Sequence, residues 1–272
     1  MPTRADIIHA LNAGPIAGET ESVDSDTIRD DKTFNEGDCE LISVDNCRFR
    51  VSHCYLVAHS KVFRDMYNLG DGTQDFSVTL TDREFETAAV IRLFLCAAVR
   101  GDIRSRVYGS CRHLRELVLF ADKYDCDPIR RLIHSECEVS ILRGYGGSLE
   151  LFAVAATADD RDLCHLLVQE RANETWPRGN NGRLHHRMSA RPGMSIWDVR
   201  SWPESAWRLG IPVQYQFALA RAHGQLAGVP PPPGVTLADE FEKYLKLIKP
   251  GWRDYRDPDK PPEINEYYWD WE

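Results

Sequence analysis

The first patterned stretch of the chain alternates polar and apolar positions, which is typical of a half-buried β-strand. Residues 39–44 contain a short apolar run, and residues 47–51 alternate strictly. Asp45-Asn46 separates the two segments, and both residue types tolerate the positive backbone angles of a tight turn. We therefore expect a β-hairpin from these segments and a third strand over 76–80, where apolar residues alternate again.

Most of the remaining apolar residues recur at helical spacing. Ser52 and Ser60 occupy N-cap positions ahead of two short predicted helices. Thr81, with Glu84 three residues later, matches a capping box, so we expect a longer helix to begin there. Further helices are expected at about 113–123, after Asp127-Pro128, over 149–156 after Ser148, over 161–171 after Asp160, after Pro212, and along the stripe from Leu237 to Ile248.

The order of these elements indicates an α+β domain followed by helices alone. Order is expected to begin near Phe34 or Asp38, because residues 1–33 are polar, acidic and aperiodic. The predicted fold class is α+β, with a small mixed sheet capped by short helices and an all-helical C-terminal region. The predicted segments are a flexible acidic leader (1–33), the α+β domain (34–140), a helical region (145–250) and an acidic aromatic tail (251–272).

The charge distribution disfavours nucleic acid as a partner. The 272-residue chain has 42 acidic and 33 basic residues, with a formal net charge of −9. The excess of acids lies in residues 1–37 and 251–272, so the body between them is neutral and a poor match for phosphate. No run approaches the roughly 20 apolar residues that span a bilayer, and the N-terminus lacks a signal-peptide pattern. We expect a soluble intracellular protein, in cytoplasm or nucleus, that binds neither nucleic acid nor a membrane.

The eight cysteines do not form a metal-binding pattern. None are spaced as Cys-x-x-Cys, and in an intracellular chain we expect reduced thiols that mostly pack as small apolar side chains. Cys111 with His113, and His134 with Cys137, come nearest to zinc-ligand pairs, but no second pair shows the spacing of a closed site. The sequence therefore predicts no metal and no other cofactor.

The residue types of a nucleophilic active site are present without the arrangement that such a site requires. His53 is the candidate general base, and Ser60, next to His59, is the candidate nucleophile. His59 and Ser60 are neighbours that do not face each other on a helix, and no third residue is indicated, so we interpret Ser60 as a cap. A lone histidine at a helix start is more often bonded to the backbone, so we interpret His53 as structural. An enzyme of unknown reaction stays as an alternative, which a deep pocket lined by His, Ser or Cys with an acid in hydrogen-bond reach would indicate.

A spaced signature in the first half of the chain resembles the BTB/POZ domain family. The residues that carry it are Asp38, Leu41, Phe49, Val51, His53, Leu56, Ser60 and Phe63. A strand at 77–80 and a later helix at 114–124, with its Ala-x-Lys-Tyr ending, follow where the family has them. The resemblance covers about residues 34–140, and the region after 145 is similar to the helical extension of fungal BTB proteins.

The resemblance implies a protein-interaction module rather than an enzyme. Members of this family dimerise, recruit partners to cullin-based ubiquitin ligases, act in transcription complexes or tetramerise channels, and the fold alone does not select among these roles. The expected function is that of an adaptor or scaffold that binds other proteins, with a substrate adaptor of a cullin-RING ubiquitin ligase as the alternative. The candidate partner contacts are Met66, Tyr67, Leu69 and Asp71.

Three local departures from the family pattern limit the expected partners. Cullin adaptors carry an apolar-x-Glu element, and Leu69-x-Asp71 offers a shorter acid, which disfavours cullin. Residues 17–33 are acidic and aperiodic, so any self-association is expected to give a non-swapped dimer. Cys54 replaces the basic residue that often follows the signature histidine, so the charged pocket that this residue would build with Asp38 is expected to be missing.

The acidic aromatic tail allows two interpretations. Its aromatic side chains can pack back onto the helical region, or the segment can dock into a partner. We expect Trp252 and Tyr255 to pack, and the two interpretations stay open for Tyr267 to Trp271.

Overall fold

The computed structural model describes residues 27–69, 76–103, 112–176, 193–228 and 234–248 of the 272-residue chain. Its strands are β1 (Arg29–Asn35), β2 (Cys39–Ile42), β3 (Cys47–Val51) and β4 (Phe76–Thr79). The helices near them are α1 (His53–His59), α2 (Lys61–Leu69), α3 (Ala88–Arg100), α4 (Arg112–Lys123) and α5 (Asp127–Leu142). The later elements are α6 (Ser148–Thr157), α7 (Arg161–Glu170), a 3-10 turn (Val199–Ser201), α8 (Glu204–Trp207), α9 (Val213–Gly228) and α10 (Leu237–Leu247). This order confirms the predicted α+β class with a helical C-terminal region.

The predicted hairpin is confirmed, and it forms the centre of a four-stranded sheet ordered β1-β3-β2-β4. β2 and β3 pair in antiparallel fashion, with Leu41 opposite Phe49. Asn46 has a φ of 57°, the left-handed conformation that a tight hairpin turn requires. β4 runs parallel to β2, which confirms the third predicted strand. Because Leu41 and Phe49 are fully buried, one face of the sheet lies on the core.

A strand also forms within the segment that the sequence indicated as a leader. β1 begins at Arg29 and pairs in parallel with β3 of the same chain, so order starts earlier than the predicted Phe34. Asp31 is buried, and its carboxylate accepts hydrogen bonds from the Phe34 backbone N–H at 2.9 Å and from the Arg92 guanidinium at 2.5 Å. The inward positions of β1 are Asp31 and Phe34. One of the two buried side chains of β1 is thus a carboxylate that Arg92 of α3 holds. The strand therefore lacks the apolar alternation by which a sequence indicates a strand.

The predicted capping box at Thr81 is wrong. Glu84 is exposed, and α3 begins only at Ala88. The carboxylate of Glu86 instead accepts hydrogen bonds from the backbone N–H groups of Thr81 and Asp82, at 2.6 Å each. Because Glu86 is buried, its hydrogen bonds hold this segment as a turn and delay the start of the helix.

Aromatic side chains from three helices form the core beneath the sheet. Phe63 of α2 stacks on Tyr124, with ring centroids 4.6 Å apart, and Phe94 of α3 lies 5.0 Å from Phe120 of α4. The helix predicted at about 113–123 is confirmed as α4, and its apolar residues at helical spacing are all buried: Leu114, Leu117, Val118 and Ala121.

We expect Ser60→Ala to lower the free energy of unfolding by about 1–2 kcal/mol, because Ser60 caps α2 from within the core. Its Oγ accepts the Phe63 backbone N–H at 3.0 Å and donates to the Tyr124 carbonyl at 2.5 Å. The matched control is Ser52→Ala, since the Ser52 side chain makes no capping hydrogen bond to α1. Urea unfolding of both variants is the measurement, and equal losses would contradict the capping role of Ser60.

Two predicted caps in the helical region have opposite outcomes. Asp160 caps α7 as predicted, because its carboxylate accepts the Leu163 backbone N–H at 3.0 Å. The predicted cap at Ser148 is wrong, since α6 begins at Ser148 itself. The Ser148 hydroxyl donates to the carboxylate of Glu174 and accepts a hydrogen bond from Arg171 at 2.8 Å. The Ser148 hydroxyl therefore bonds to side chains that are distant in sequence and does not cap the backbone of α6.

The helical region packs around α6, most of which is buried. Phe152 of α6 contacts the rings of Trp197, Tyr215 and Phe241, with centroids 5.6, 6.1 and 5.7 Å away. The predicted apolar stripe of α10 is confirmed, with Phe241 and Leu245 buried. α6 also packs against α4, so the helical region and the sheet domain share one core.

Several sequence features lie outside the described residues. These are residues 1–26, residues 177–192, the proline-rich residues 229–233, and residues 249–272, which include the predicted acidic aromatic tail. Within the described ranges, no helix is both long enough and apolar enough to cross a membrane.

Candidate functional site

Six of the eight signature residues hold the hairpin, α1 and α2 together. They are buried in the core: Leu41, Phe49, Val51, Leu56, Ser60 and Phe63. The strand residues point inward at alternate positions, and the helix residues lie on the inner faces of α1 and α2. The signature pattern therefore reflects packing beneath a surface rather than the surface itself.

The other two signature residues, Asp38 and His53, form a contact at the surface. The Asp38 carboxylate accepts the His53 backbone N–H at 2.7 Å and lies 2.5 Å from the ring Nδ1. Hydrogen bonds from the backbone and then the ring of His53 hold the pKa of Asp38 below its usual value. Cys54 stands where the family often has a basic residue, and the Asp38 carboxylate pairs with His53, which joins the segment before β2 to the start of α1.

Tyr67 extends this contact to α2 and β4. Its ring stacks on the His53 imidazole, with centroids 4.5 Å apart and planes 2° from parallel. It also meets Phe76 of β4 edge-on at 5.8 Å. Tyr67, predicted as a partner contact, is thus a half-buried residue that fixes the plane of the His53 ring.

Met66 and Leu69 are the exposed apolar residues of α2, with 40% and 88% of their surface accessible. They are three residues apart and share one face of the helix. Tyr55, 40% exposed, lies on α1, which packs against α2. We call Tyr55, Met66, Tyr67 and Leu69 the α1–α2 surface. The fourth predicted contact, Asp71, lies outside the described residues.

Comparison with known proteins identifies the domain that presents this surface. The family model described as BTB/POZ domain matches residues 31–140, from within β1 to within α5. The chain contains a BTB/POZ domain. No curated protein and no solved structure matches the chain. BTB/POZ domains are protein–protein interaction modules that mediate dimerisation and are generally non-enzymatic.

A groove of about 330 Å³ lies between the end of the BTB/POZ domain and the helical region. Its lining is mostly apolar, and the Nδ1 atom of His134 on α5 lies 2.5 Å from an Asp160 carboxylate oxygen across it. No serine or cysteine is among the described residues that line this groove. A histidine and an acid in hydrogen-bond reach are therefore present there without the nucleophile that a covalent mechanism needs.

The structure separates the residues that came nearest to zinc-ligand spacing. Cys137 is fully buried, whereas His134 lines the groove and contacts Asp160. Cys111 lies outside the described residues. In the part of the chain that the structure describes, no group of three His, Cys, Asp or Glu side chains is placed to hold a metal ion.

The stacking of Tyr67 on His53 was not predicted from the sequence, because only the packing of α1 against α2 produces it. One signal was available, since the two predicted helices are joined by a single residue, Ser60. Such a short link forces neighbouring helices to pack against each other. The short link does not indicate which side chains of the two helices come into contact, because those contacts depend on how the helices are oriented against each other.

Proposed function

We propose that this protein is an adaptor or scaffold that binds another protein through the α1–α2 surface of its BTB/POZ domain. The exposure of Leu69 supports the proposal most strongly, because 88% of this leucine is accessible on a helix whose other face buries Phe63. Exposed apolar side chains that share one face of a helix, as Leu69 and Met66 do, are more typical of interaction sites than single ones. Tyr67 is already held by His53, so a partner would lose little side-chain entropy in ordering it.

A second copy of the chain is the other partner that we consider. The pairing of β1 with β3 in the same chain supports a non-swapped dimer, because the backbone of β1 already has hydrogen-bond partners within its own sheet. Light scattering on the full chain during size exclusion distinguishes the two cases. A clean monomer at high micromolar concentration would exclude self-association and leave a different protein as the partner.

The cullin-RING alternative would make the helical region the part that recognises a substrate. The Leu69-x-Asp71 element supports it weakly, because aspartate is shorter than the glutamate of the family pattern. The enzymatic alternative is weaker still, since no nucleophile is among the described residues of the groove that contains His134 and Asp160. We therefore propose that the chain is not an enzyme and that its partners are proteins.

We expect the double substitution Met66→Glu and Leu69→Glu to weaken partner binding by at least about tenfold, because each glutamate would place a charge in an apolar contact. Both side chains are exposed, so the fold should keep its stability. The measurement is affinity purification of the full chain with quantitative mass spectrometry, followed by titration of each partner that the variant loses.

The control for this experiment is Leu247→Glu, which changes an equally apolar and 65% exposed residue on α10. Partners that bind the α1–α2 surface should be retained by this control and lost from the double variant. The proposal is contradicted if both variants keep the same partners. Binding of purified cullin that depends on Met66 and Leu69 would instead favour the ubiquitin-ligase alternative.

A further inference from the structure

Cys54 lies beside the imidazole of His53 at the start of α1. Its thiol is exposed, and the Sγ atom is 3.6 Å from the Nε2 atom of His53. This distance suits an S–H group that donates to a ring nitrogen. The other ring nitrogen, Nδ1, is the one that lies against the Asp38 carboxylate.

The contact between Asp38 and His53 determines which ring nitrogen is free to accept a proton. A carboxylate accepts hydrogen bonds, so the neutral ring carries its hydrogen on Nδ1 and presents the Nε2 lone pair to Cys54. The ring cannot turn away easily, because Tyr67 stacks on it and Asp38 also holds the His53 backbone N–H. Nucleophile, base and orienting acid thus stand in the order that activates a cysteine.

The other cysteines in the described part of the chain lack this environment. Burial raises the pKa of the Cys39 and Cys126 thiols to about 12, and it raises the pKa of Cys47 and Cys164 as well. Cys137 is also buried, and Cys96 is partly so. Within these residues, Cys54 is the thiol that solvent reaches freely.

We propose that Cys54 is a covalent modification site that forms a mixed disulfide with small-molecule disulfides. His53 takes the thiol proton at Nε2, and the resulting thiolate attacks one sulfur of the small disulfide. A new S–S bond forms at Cys54, the original S–S bond breaks, and the second sulfur leaves as a thiolate that receives the proton from His53. The small disulfide is reduced as the protein thiol is oxidised, so no other oxidant is needed.

This reaction requires no partner protein, so its test is independent of the proposed adaptor role. The full chain is incubated with glutathione disulfide at pH 7, and mass spectrometry of its peptides gives the rate of modification at each cysteine. The comparison variant, Cys54→Ser/Asn68→Cys, moves the exposed thiol to α2, where Asn68 is exposed. We expect Cys54 in the unmodified sequence to react about tenfold faster than this comparison thiol.

Two further variants test the roles of the neighbours. His53→Asn removes the base, and Asp38→Asn removes the charge that orients it, so both should lower the Cys54 rate toward that of the comparison thiol. If a variant unfolded instead, buried thiols such as Cys39 would become exposed and react. New modification at those thiols would therefore identify an unfolded variant. Equal rates for Cys54 and the comparison thiol would overturn the proposal, as would a Cys54 rate that both variants leave unchanged.

Discussion

Gly37→Ala should lower the free energy of unfolding by at least about 3 kcal/mol, which is a large share of the stability of a domain of this size. Gly37 has a φ of +149°, a conformation that side chains rarely adopt. A Cβ atom at this position would lie 2.1 Å from the carbonyl carbon of Val51 and 2.3 Å from its oxygen. Because both atoms belong to the backbone of β3, they can move only by disturbing its pairing with β2, where Cys39 stands opposite Val51.

Two other glycines are matched controls for Gly37→Ala in urea unfolding. Gly101, at the C-cap of α3, has a φ of +62°, but a Cβ atom there would meet no described atom within 4 Å, so Gly101→Ala should cost only about 1 kcal/mol. Gly224, inside α9, has neither strain nor a close neighbour among the described residues, so Gly224→Ala should stabilise the helix by about 0.5–1 kcal/mol. Similar losses at Gly37 and Gly101 would show that the close approach to Val51 is unimportant.

Glu86→Ala is the second substitution for which we expect a loss of at least about 3 kcal/mol. The Glu86 carboxylate is completely buried and accepts hydrogen bonds from Lys123 at 2.5 Å and from the Tyr124 hydroxyl at 2.7 Å. It also accepts the two backbone N–H groups of Thr81 and Asp82. Alanine would leave the buried Tyr124 hydroxyl without its acceptor and would remove the shared acceptor of three part-buried donors, which costs more than the loss of an exposed ion pair. Urea unfolding at pH 7 is the measurement.

The pH dependence of this loss follows from the ionisation of Glu86. Burial alone opposes its charge, but hydrogen bonds from Asp82, Lys123 and Tyr124 outweigh burial and lower its pKa from 4.5. A lowered pKa in the folded state stabilises the fold above the unfolded pKa, and this stabilisation disappears as the pH falls through the folded value. The difference between the unmodified sequence and Glu86→Ala should therefore shrink below about pH 4.5.

The control for Glu86→Ala is Glu84→Ala, which removes an exposed carboxylate that lies 3.5 Å from Arg115. Exposed ion pairs at this distance contribute little, so the change should stay within about 0.5 kcal/mol. Equal losses at the two positions, or a Glu86 effect that does not vary with pH, would contradict the buried network.

Much of the fold could be predicted because the deciding interactions are local. The Asp45-Asn46 turn and the alternation around it specify the hairpin, and Ser60 and Asp160 cap the helices that follow them. In each case the partner atoms lie within a few residues, as with the Asp160 carboxylate and the Leu163 N–H. Local hydrogen bonds and periodicity are the interactions that a sequence displays directly.

The predictions failed where a polar residue has its partner far along the chain. Glu84 has the right spacing for a capping box, yet the buried Glu86 takes the backbone groups because Lys123 and Tyr124 compensate its charge. The strand β1 was missed for the same reason, since its buried Asp31 is compensated by Arg92. Spacing cannot reveal such compensation, because it depends on which helices meet.

The sequence by itself determined the class of fold and the buried signature, because the packing of Leu41, Phe49 and Phe63 follows from strand and helix periods, and the resemblance of that signature indicated the BTB/POZ domain. Only the tertiary structure decided how the surface is arranged. It stacks Tyr67 on His53, turns the free nitrogen of that ring toward Cys54, and leaves Leu69 exposed. The physical reason is that the Tyr67–His53 stack, which holds the ring in place beside Cys54, depends on how α1 packs against α2, and the core on which both helices rest sets that packing.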